Sequence, residues 1–330
     1  MKSLGATFER FGGVNLLPVL IAVIALVLIG SPSTWITLTV AGLAMGMMIF
    51  LMASGLSLVF GLMDVLNFGH SAFVSFGAFV AASVLAGLSA WVAADSVFLN
   101  VLALLAAIIA AALFGLLAGW FFEQVIIKPV YRDHLRQILI TMGALIVAEQ
   151  IILTIWGGSP ISVARPHFLA GSLIIGDVSI ETYRIFAFAL GLAAYVALYF
   201  VLNRTRIGLL VRAGVENREM VEALGFRIDR LFIGVFMAGS ALAAIGGAMW
   251  AGYQTLITPA IGSEMMIIVF IVIIIGGLGS IEGSLLGALM VGLMGNYVAF
   301  LAPKMSLASN MLLMMAILLW RPYGLRPAVQ

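Results

Sequence analysis

Polar side chains that can bind an ion or a polar solute interrupt this apolar chain at residues 61–71. A carboxyl, a carboxamide, an imidazole and a hydroxyl come from Asp64, Asn67, His70 and Ser71, and Gly61 and Gly69 lie among them. Glycines permit a broken helix, and backbone groups freed at a break are tolerated where they line a cavity or are buried. One interpretation therefore places this set along a polar path through the protein. The alternative is a turn between two helices, with Asn67 or His70 capping the second helix.

Three other acidic positions in apolar surroundings have simpler interpretations. Glu149 lies beside Gln150 late in an apolar run. The pair faces either an internal polar seam or the outer interface. Glu264 and Glu282 each begin a helical run, where the helix dipole favours acidic side chains.

The residue types give no sign of catalytic or redox chemistry. The chain has no cysteine, and its three histidines, at 70, 134 and 167, lack the spacing of metal ligands. No nucleophile and base form a recognisable pair. A phosphate-binding G-x-x-x-x-G-K-[ST] loop does not surround Lys2, Lys128 or Lys304. We therefore expect a chain that is not an enzyme and needs no cofactor or metal.

Hydropathy sets the elements that must position these residues. Of the 330 residues, 64% are hydrophobic and 9% are charged, far from the composition of a soluble domain. A helix that spans a bilayer needs about 20 apolar residues. The chain is thus predicted to be all-α, a single polytopic membrane bundle (1–330) of about ten helices. The apolar runs lie near 14–31, 36–60, 70–92, 97–122, 138–156, 183–202, 231–252, 264–278, 284–302 and 307–320.

The distribution of basic residues predicts the orientation. The first run lacks an A-x-A cleavage pattern at 30–33, so it is expected to be an anchor rather than a signal peptide. If the spans alternate, most Lys and Arg fall on one side, in 123–137, 203–230 and the termini. The positive-inside rule then supports ten spans with both termini cytoplasmic, or eight or nine if short runs are re-entrant. The net charge of +2 is explained by topology, and no nucleic acid partner is expected.

The segment 157–182 is predicted to lie outside. Within it, Gly176 and Asp177 separate two short β-favouring runs, 174–175 and 178–180. This pattern is typical of a β-hairpin.

Glycines recur in a way that indicates an internal repeat. At an offset of 218 residues, the aligned pairs are Gly61 with Gly279, Asp64 with Glu282, Gly69 with Gly287, and Gly77 with Gly295. Each copy places an acidic residue between apolar runs, as in duplicated bundles with broken helices, although four matches also arise by chance in a glycine-rich chain. Small-residue pairs at 42/46, 115/119 and Gly283/Gly287 predict close helix crossings.

The segment 204–227 is the one long, strongly charged stretch. Acidic residues come early, and Val215, Met220, Ala223 and Leu224 recur at helical spacing before Gly225, a typical helix stop. This predicts a short amphipathic helix outside the bilayer at 215–224. Its apolar stripe rests either on lipid headgroups or on another protein.

The same segment resembles the coupling loop of permeases in the branched-chain amino-acid ABC importer family. The matching residues are Gly208, Arg212, Ala213, Asn217, Ala223 and Gly225, with Phe226 where isoleucine is usual. Further similarity lies at 67–70 with 77–78, at 243–247, and at 276–283 with 287–288, so it extends over roughly 40–325. The chain looks more like the shorter permease of the usual pair. Where members often have Asn-Phe-Ala-His-Gly-Glu, residues 67–72 lack the acidic residue, which leaves the solute open.

The resemblance implies a set of partners in a bacterial inner membrane. They are a second permease subunit, two ABC ATPase subunits that bind ATP, and an extracytoplasmic solute-binding protein that would meet the segment 157–182. ATPase closure would push on the coupling residues and switch the bundle between inward-facing and outward-facing states. These residues are Arg212, Glu216, Asn217, Met220, Ala223, Leu224 and Gly225. The implied solute is a branched-chain or hydrophobic amino acid, or a related small carboxylate or amide.

Two other transport functions stay open at this point. A secondary transporter would use Asp64, Glu149 or Glu282 as its ion-coupling carboxylate. A passive channel would admit a small neutral solute such as urea.

Overall fold

A computed structural model of the protein describes residues 13–131, 133–216 and 218–327. This part of the chain contains twelve α-helices of six residues or more. They are α1 (Leu17–Ile29), α2 (Pro32–Met63), α3 (His70–Gly87), α4 (Val97–Phe122), α5 (His134–Trp156), α6 (Thr182–Arg204), α7 (Arg206–Glu216), α8 (Arg218–Ala223), α9 (Ile228–Gln254), α10 (Ile261–Gly276), α11 (Ile281–Leu301) and α12 (Ser306–Trp320). A π-helical turn, Glu123–Ile127, continues α4, and a one-turn helix, Ser89–Val92, follows α3.

All helices except α7 and α8 are apolar, and each matches one of the ten apolar runs in the sequence. Seven of those in the described ranges, α2 to α6 with α9 and α11, are long and apolar enough to cross a membrane. The other three, α1, α10 and α12, are shorter. The predicted all-α polytopic membrane bundle is therefore confirmed, while the count of about ten spans stays a prediction.

The bundle has two ends. The charged end holds the C-terminus of α2, residues 123–131 and 133, α7, α8 and the described C-terminal residues. There, Gly61 contacts Gly279, and Tyr131 stacks on Phe232 with ring centroids 6.3 Å apart. The hairpin end holds the segment 157–181.

Four short strands lie at the hairpin end. They are β1 (Ile161–Ser162), β2 (Ser172–Ile175), β3 (Val178–Glu181) and β4 (Leu256–Ile257). The β2–β3 hairpin turns at Gly176 and Asp177, where the sequence places it, and Ile175 pairs with Val178. β1 pairs antiparallel with β4, so the segment before the hairpin is attached to the connection between α9 and α10.

Glycines bring the core helices α2, α3, α9 and α11 into backbone contact. A Cβ on Gly55 of α2 would overlap the carbonyl oxygen of Gly239 in α9, and a Cβ on Gly77 of α3 would overlap that of Ala244. Each of the three small-residue pairs packs against a neighbouring helix, as predicted. The neighbour is α11 for the pair 42/46, α9 for the pair 115/119 and α10 for Gly283/Gly287. Such approaches stabilise helix packing in lipid, where burial of apolar surface between helices contributes little.

Two helices, α3 and α10, begin inside the bundle instead of at an end. α2 ends at Met63, and Asp64 has a left-handed φ of 51°. The non-helical residues 65–69 then return into the bundle, because His70 at the start of α3 contacts Met52, about three turns before the end of α2. Similarly, α9 ends at Gln254 near the hairpin, and α10 begins at Ile261 beside Ser75 of α3. The N-termini of α3 and α10 therefore meet in the middle of the bundle.

The aligned copies of the suggested repeat occupy different local structures. Gly61 lies in the last turn of α2, whereas Gly279 lies in the loop before α11. Asp64 ends a helix, whereas Glu282 lies in the first turn of one. The internal repeat stays a prediction.

Candidate functional site

The non-helical residues 65–69 are held by side chains of α5. Gln137 accepts a hydrogen bond from the Leu66 N–H at 3.3 Å, and the Thr141 hydroxyl accepts one from the Phe68 N–H at 3.1 Å. Gln137 and Thr141 are one helical turn apart and fully buried. They supply the hydrogen bonds that a buried, non-helical backbone requires. Sequence reasoning missed both residues, although their four-residue spacing at the start of an apolar helix is a usable signal.

The residues at the start of α3 form a buried polar cluster, defined as Asn67, His70 and Ser71. The His70 Nε2 lies 2.9 Å from the Met52 carbonyl oxygen, which requires the proton on Nε2. Both polar atoms of the Asn67 side chain, the His70 Nδ1 and the Ser71 hydroxyl are buried, with no hydrogen-bond partner among the described residues. Each such group costs about 1–3 kcal/mol. The cluster thus combines several buried donors and acceptors that no described residue satisfies.

Gly69 belongs to the same stretch and serves close packing. A Cβ there would overlap the ring of Phe122. Phe122 in turn stacks on Phe236 at 6.0 Å and meets the edge of Phe73 at 5.3 Å. These aromatic rings pack beside the buried polar cluster.

Asp64 lies apart from the other residues of the predicted path. Its side chain is 75% exposed at the charged end, 3.6 Å from the His134 ring. An exposed pair of this kind contributes little to stability. The structure therefore brings together Asn67, Gly69, His70 and Ser71, and it leaves Asp64 at the surface.

α10 closes the junction from the other side. The Gly262 N–H donates to the Ser75 hydroxyl at 2.9 Å, and a Cβ on Gly262 would overlap the Ser71 carbonyl oxygen. Glu264 lies in the first turn of α10, and its side chain is exposed. It shares that exposed face with Ile267, which is half exposed.

The other carboxylates of interest have separate surroundings. Glu282 begins α11 and forms an ion pair with Arg326, which also donates to Asn15 at 2.9 Å. One carboxylate oxygen of Glu149 is buried, with no hydrogen-bond partner in the described ranges. The Glu282 carboxylate is therefore already neutralised by a fixed cation.

Arg165 connects the segment before the hairpin to α9. Its guanidinium donates to the carbonyls of Gly252 and Tyr253, both at 2.6 Å, and to the Glu181 carboxylate at 3.0 Å. It also lies over the ring of Tyr183, 5.1 Å from the centroid. No local sequence pattern indicates this role of Arg165.

The charged segment forms two helices where one was expected at 215–224. α7 (Arg206–Glu216) starts nine residues earlier and contains Arg212 and Glu216, and α8 (Arg218–Ala223) follows. Asn217 lies outside the described residues. Gly225 has a φ of 87°, which fits the predicted helix stop.

The apolar side chains of this segment divide between the two sides. Val211 and Val221 are buried against the bundle. Met220 and Leu224 are 59% and 70% exposed, and Ala223 and Phe226 are also exposed. An uncovered apolar patch at the end of a helix bundle marks a contact surface.

A comparison with protein families settles the class of this polytopic chain. The profile described as "Branched-chain amino acid transport system / permease component" matches residues 38–320. The chain belongs to this permease family. In the permease, the matched range includes the buried polar cluster, the charged segment and both helices that begin inside the bundle. The resemblance in the sequence is thereby confirmed, and the chain is a multi-pass membrane transport component.

Individual relatives agree with the family match. The permease is 28% identical to the high-affinity branched-chain amino acid transport system permease protein LivH of Salmonella typhimurium, over 88% of this chain and 95% of that protein. It is 29% identical to BraD of Pseudomonas aeruginosa, over 88% and 96%. A probable LivH of Methanocaldococcus jannaschii is 24% identical, over 84% and 88%. No solved structure matches the permease.

Proposed function

We propose that the chain is one of two permease subunits of an ATP-driven ABC importer in a bacterial inner membrane. It moves branched-chain or other hydrophobic amino acids, or a related small carboxylate or amide, by alternating access. The observation that carries this proposal is the family match over residues 38–320 in a chain whose sequence has no phosphate-binding loop. ATP is then bound by separate ATPase subunits.

The exposed face of α10 favours a second permease subunit. Glu264 lies on this face close to the start of α10, which is in the middle of the bundle. A charged side chain in the centre of a bilayer costs about 2.5–3.5 kcal/mol on insertion scales. Lipid is therefore a poor neighbour for this face, whereas a second subunit or a water-filled path between subunits suits it. The remaining apolar helix faces contact membrane lipid.

The charged segment is the proposed docking site for an ATPase subunit. Met220 and Leu224 present exposed apolar side chains in a segment whose sequence is also rich in arginine, and an exposed apolar patch of this kind suits contact with another protein. Arg212, Glu216, Asn217, Ala223 and Gly225 complete the proposed coupling set. Movement of this segment reaches the bundle through Val221, buried at its base, and through Ile228, which packs against Gly214.

The hairpin end is the proposed contact for the extracytoplasmic solute-binding protein. Ile174 and Ile175 of the hairpin are strongly exposed. The charged end then faces the cytoplasm with both chain termini, in agreement with its arginines and the positive-inside rule.

Reconstitution tests the proposed function. The chain is purified with the second permease and ATPases encoded by neighbouring genes and placed in proteoliposomes with the binding protein. We expect accumulation of labelled leucine against its gradient only with ATP. Gradient-driven uptake by the chain alone would instead indicate a secondary transporter, and equilibration without accumulation would indicate a channel.

Co-purification tests the docking surface. Met220→Asp combined with Leu224→Asp places two charges on the exposed patch, so we expect the ATPase subunits to be lost. Met305→Asp is the control, because Met305 is similarly exposed but lies at the hairpin end. Retention of the ATPases by the double variant would contradict the docking role.

A further inference from the structure

The first turns of α3 and α10 present two helix N-termini to one small region. The residues at the capping positions, Gly69 and Ala260, supply no side-chain hydrogen bond to their own helices. The Ser75 hydroxyl and the Gly262 N–H join the two helices there. Four N–H groups of these first turns already bond main-chain carbonyls, so the positive dipole ends of the helices, more than free N–H groups, favour an anion there.

Unpartnered side chains mark the same region as a ligand site. Asn67 lies beside Gly69, with its Oδ1 atom 3.2 Å from the position of a Cβ there, and Ser71 lies in the first turn of α3. Both side chains are at least 99% buried, and their polar atoms have no partner within the described chain. The polar groups of Asn67 and Ser71 are therefore able to bind a polar group that enters this region.

The local charge limits which anion fits. Residues 11–127 and 231–303, which include α2 to α4 and all of α10 and α11, contain no Lys or Arg. An anion at the junction would thus meet helix ends and neutral donors without a fixed cation. The one carboxylate in the first turn of α10, that of Glu264, lies on the exposed face of the helix and not on the face that Gly262 turns to α3. Such a site binds one carboxylate weakly enough to release it, as a transport step requires.

We propose that the junction of α3 and α10 binds the carboxylate group of the transported solute. The donors are the Gly262 N–H, the hydroxyls of Ser71 and Ser75, and the Asn67 amide. The Gly262 N–H is bonded to Ser75 in this structure, so the site is closed. Separation of α10 from α3 opens it. The inference rests on the proposed importer function, because it states which group of the transported solute the junction binds.

Ligand-observed NMR on the full-length chain in nanodiscs tests the site without the binding protein. Leucine is the probe, and three competitors share one carbon skeleton but differ in the head group: isovalerate, isovaleramide and isoamylamine. We expect isovalerate to displace leucine and the other two to compete at least tenfold less well. Equal competition by isovaleramide or isoamylamine, or no binding of leucine by the wild-type chain, would overturn the proposal.

Two variants locate the site. Ser71→Ala removes one hydroxyl and is expected to weaken leucine binding about tenfold, the loss of one hydrogen bond to a charged group. Ser284→Ala is the matched control, because the Ser284 hydroxyl is equally buried and unpartnered within the described residues but lies near the other end of α10. Equal effects of the two variants would overturn the assignment. ATP-driven uptake in proteoliposomes distinguishes failure of the site from failure of the importer function. If the complex takes up leucine but the chain shows no preference for isovalerate in the binding experiment, the carboxylate site is wrong and the importer function stands.

Discussion

The Arg165 Nε lies 2.6 Å from the main-chain carbonyl oxygen of Gly252, in the last turn of α9. A helix leaves its last carbonyls without partners, and here one guanidinium binds two of them, since it also reaches Tyr253. The same side chain pairs with Glu181 at the end of β3. Arg165 thus attaches the hairpin to the helix that leads toward α10.

Replacement of Arg165 by alanine is expected to destabilise the hairpin end. The change leaves two partly buried carbonyls without their donor, at a cost of about 1–3 kcal/mol. The measurement is the apparent melting temperature of the purified chain in detergent, which should fall by several degrees. Arg184→Ala is the control, because Arg184 pairs with the same Glu181 carboxylate at 3.0 Å. An equal fall in both variants would mean that the ion pair, rather than the carbonyl contacts, carries the stability.

Gly77→Ala is expected to abolish folding. Its Cβ would overlap the backbone carbonyl of Ala244, so α3 and α9 would have to separate. The yield of monodisperse protein in size-exclusion chromatography measures the effect. Gly87→Ala, at the end of the same helix, meets no atom within 4 Å and should leave the yield unchanged or raise it. Normal yield of the Gly77 variant would show that the helices are not in backbone contact.

Thr141→Val is expected to impair both stability and transport. Valine has the shape of threonine but leaves the Phe68 N–H without an acceptor, which costs about 1–3 kcal/mol. The residues 65–69 then lose their position next to the buried polar cluster. Thr154→Val on the same helix is the control, because the Thr154 hydroxyl is exposed and bonds only the Gln150 carbonyl in its own helix. Uptake and melting temperature should change for the first variant alone.

The absence of cysteine permits a direct test of orientation. Ala223→Cys and Ile174→Cys each introduce the single thiol of the chain, at the charged end and at the hairpin. In spheroplasts, a membrane-impermeant maleimide should label the Ile174 variant at once and the Ala223 variant only after lysis. The reverse pattern would contradict the cytoplasmic assignment of the charged segment.

The sequence predicts the helices, but it does not predict how deep in the bundle each helix begins. Runs of apolar residues locate ten helices, since each must bury its backbone hydrogen bonds within itself. The return of residues 65–69 into the bundle depends on Gln137 and Thr141, which lie about 70 residues away and are brought there only by the fold. No local pattern therefore separates Asp64, at the surface, from Asn67, three residues later and fully buried.

The charged segment shows a similar limit. The sequence predicts the helix stop at Gly225, because a glycine after a helical run readily adopts the left-handed conformation that ends a helix. No local pattern predicts the start of α7 at Arg206, since the burial of Val211 follows only from the packing of α7 on the bundle.

The C-terminal tail determines how the protein should be handled. Leu325 and Arg326 donate main-chain hydrogen bonds of 2.9 Å to the carbonyls of Ile275 and Gly276, in the last turn of α10. β4, at the opposite end, is paired with β1. An affinity tag fused rigidly to the C-terminus would thus transmit force to α10, the helix that contacts α3 at the central junction. A flexible spacer, or a tag placed elsewhere, leaves these two main-chain hydrogen bonds undisturbed.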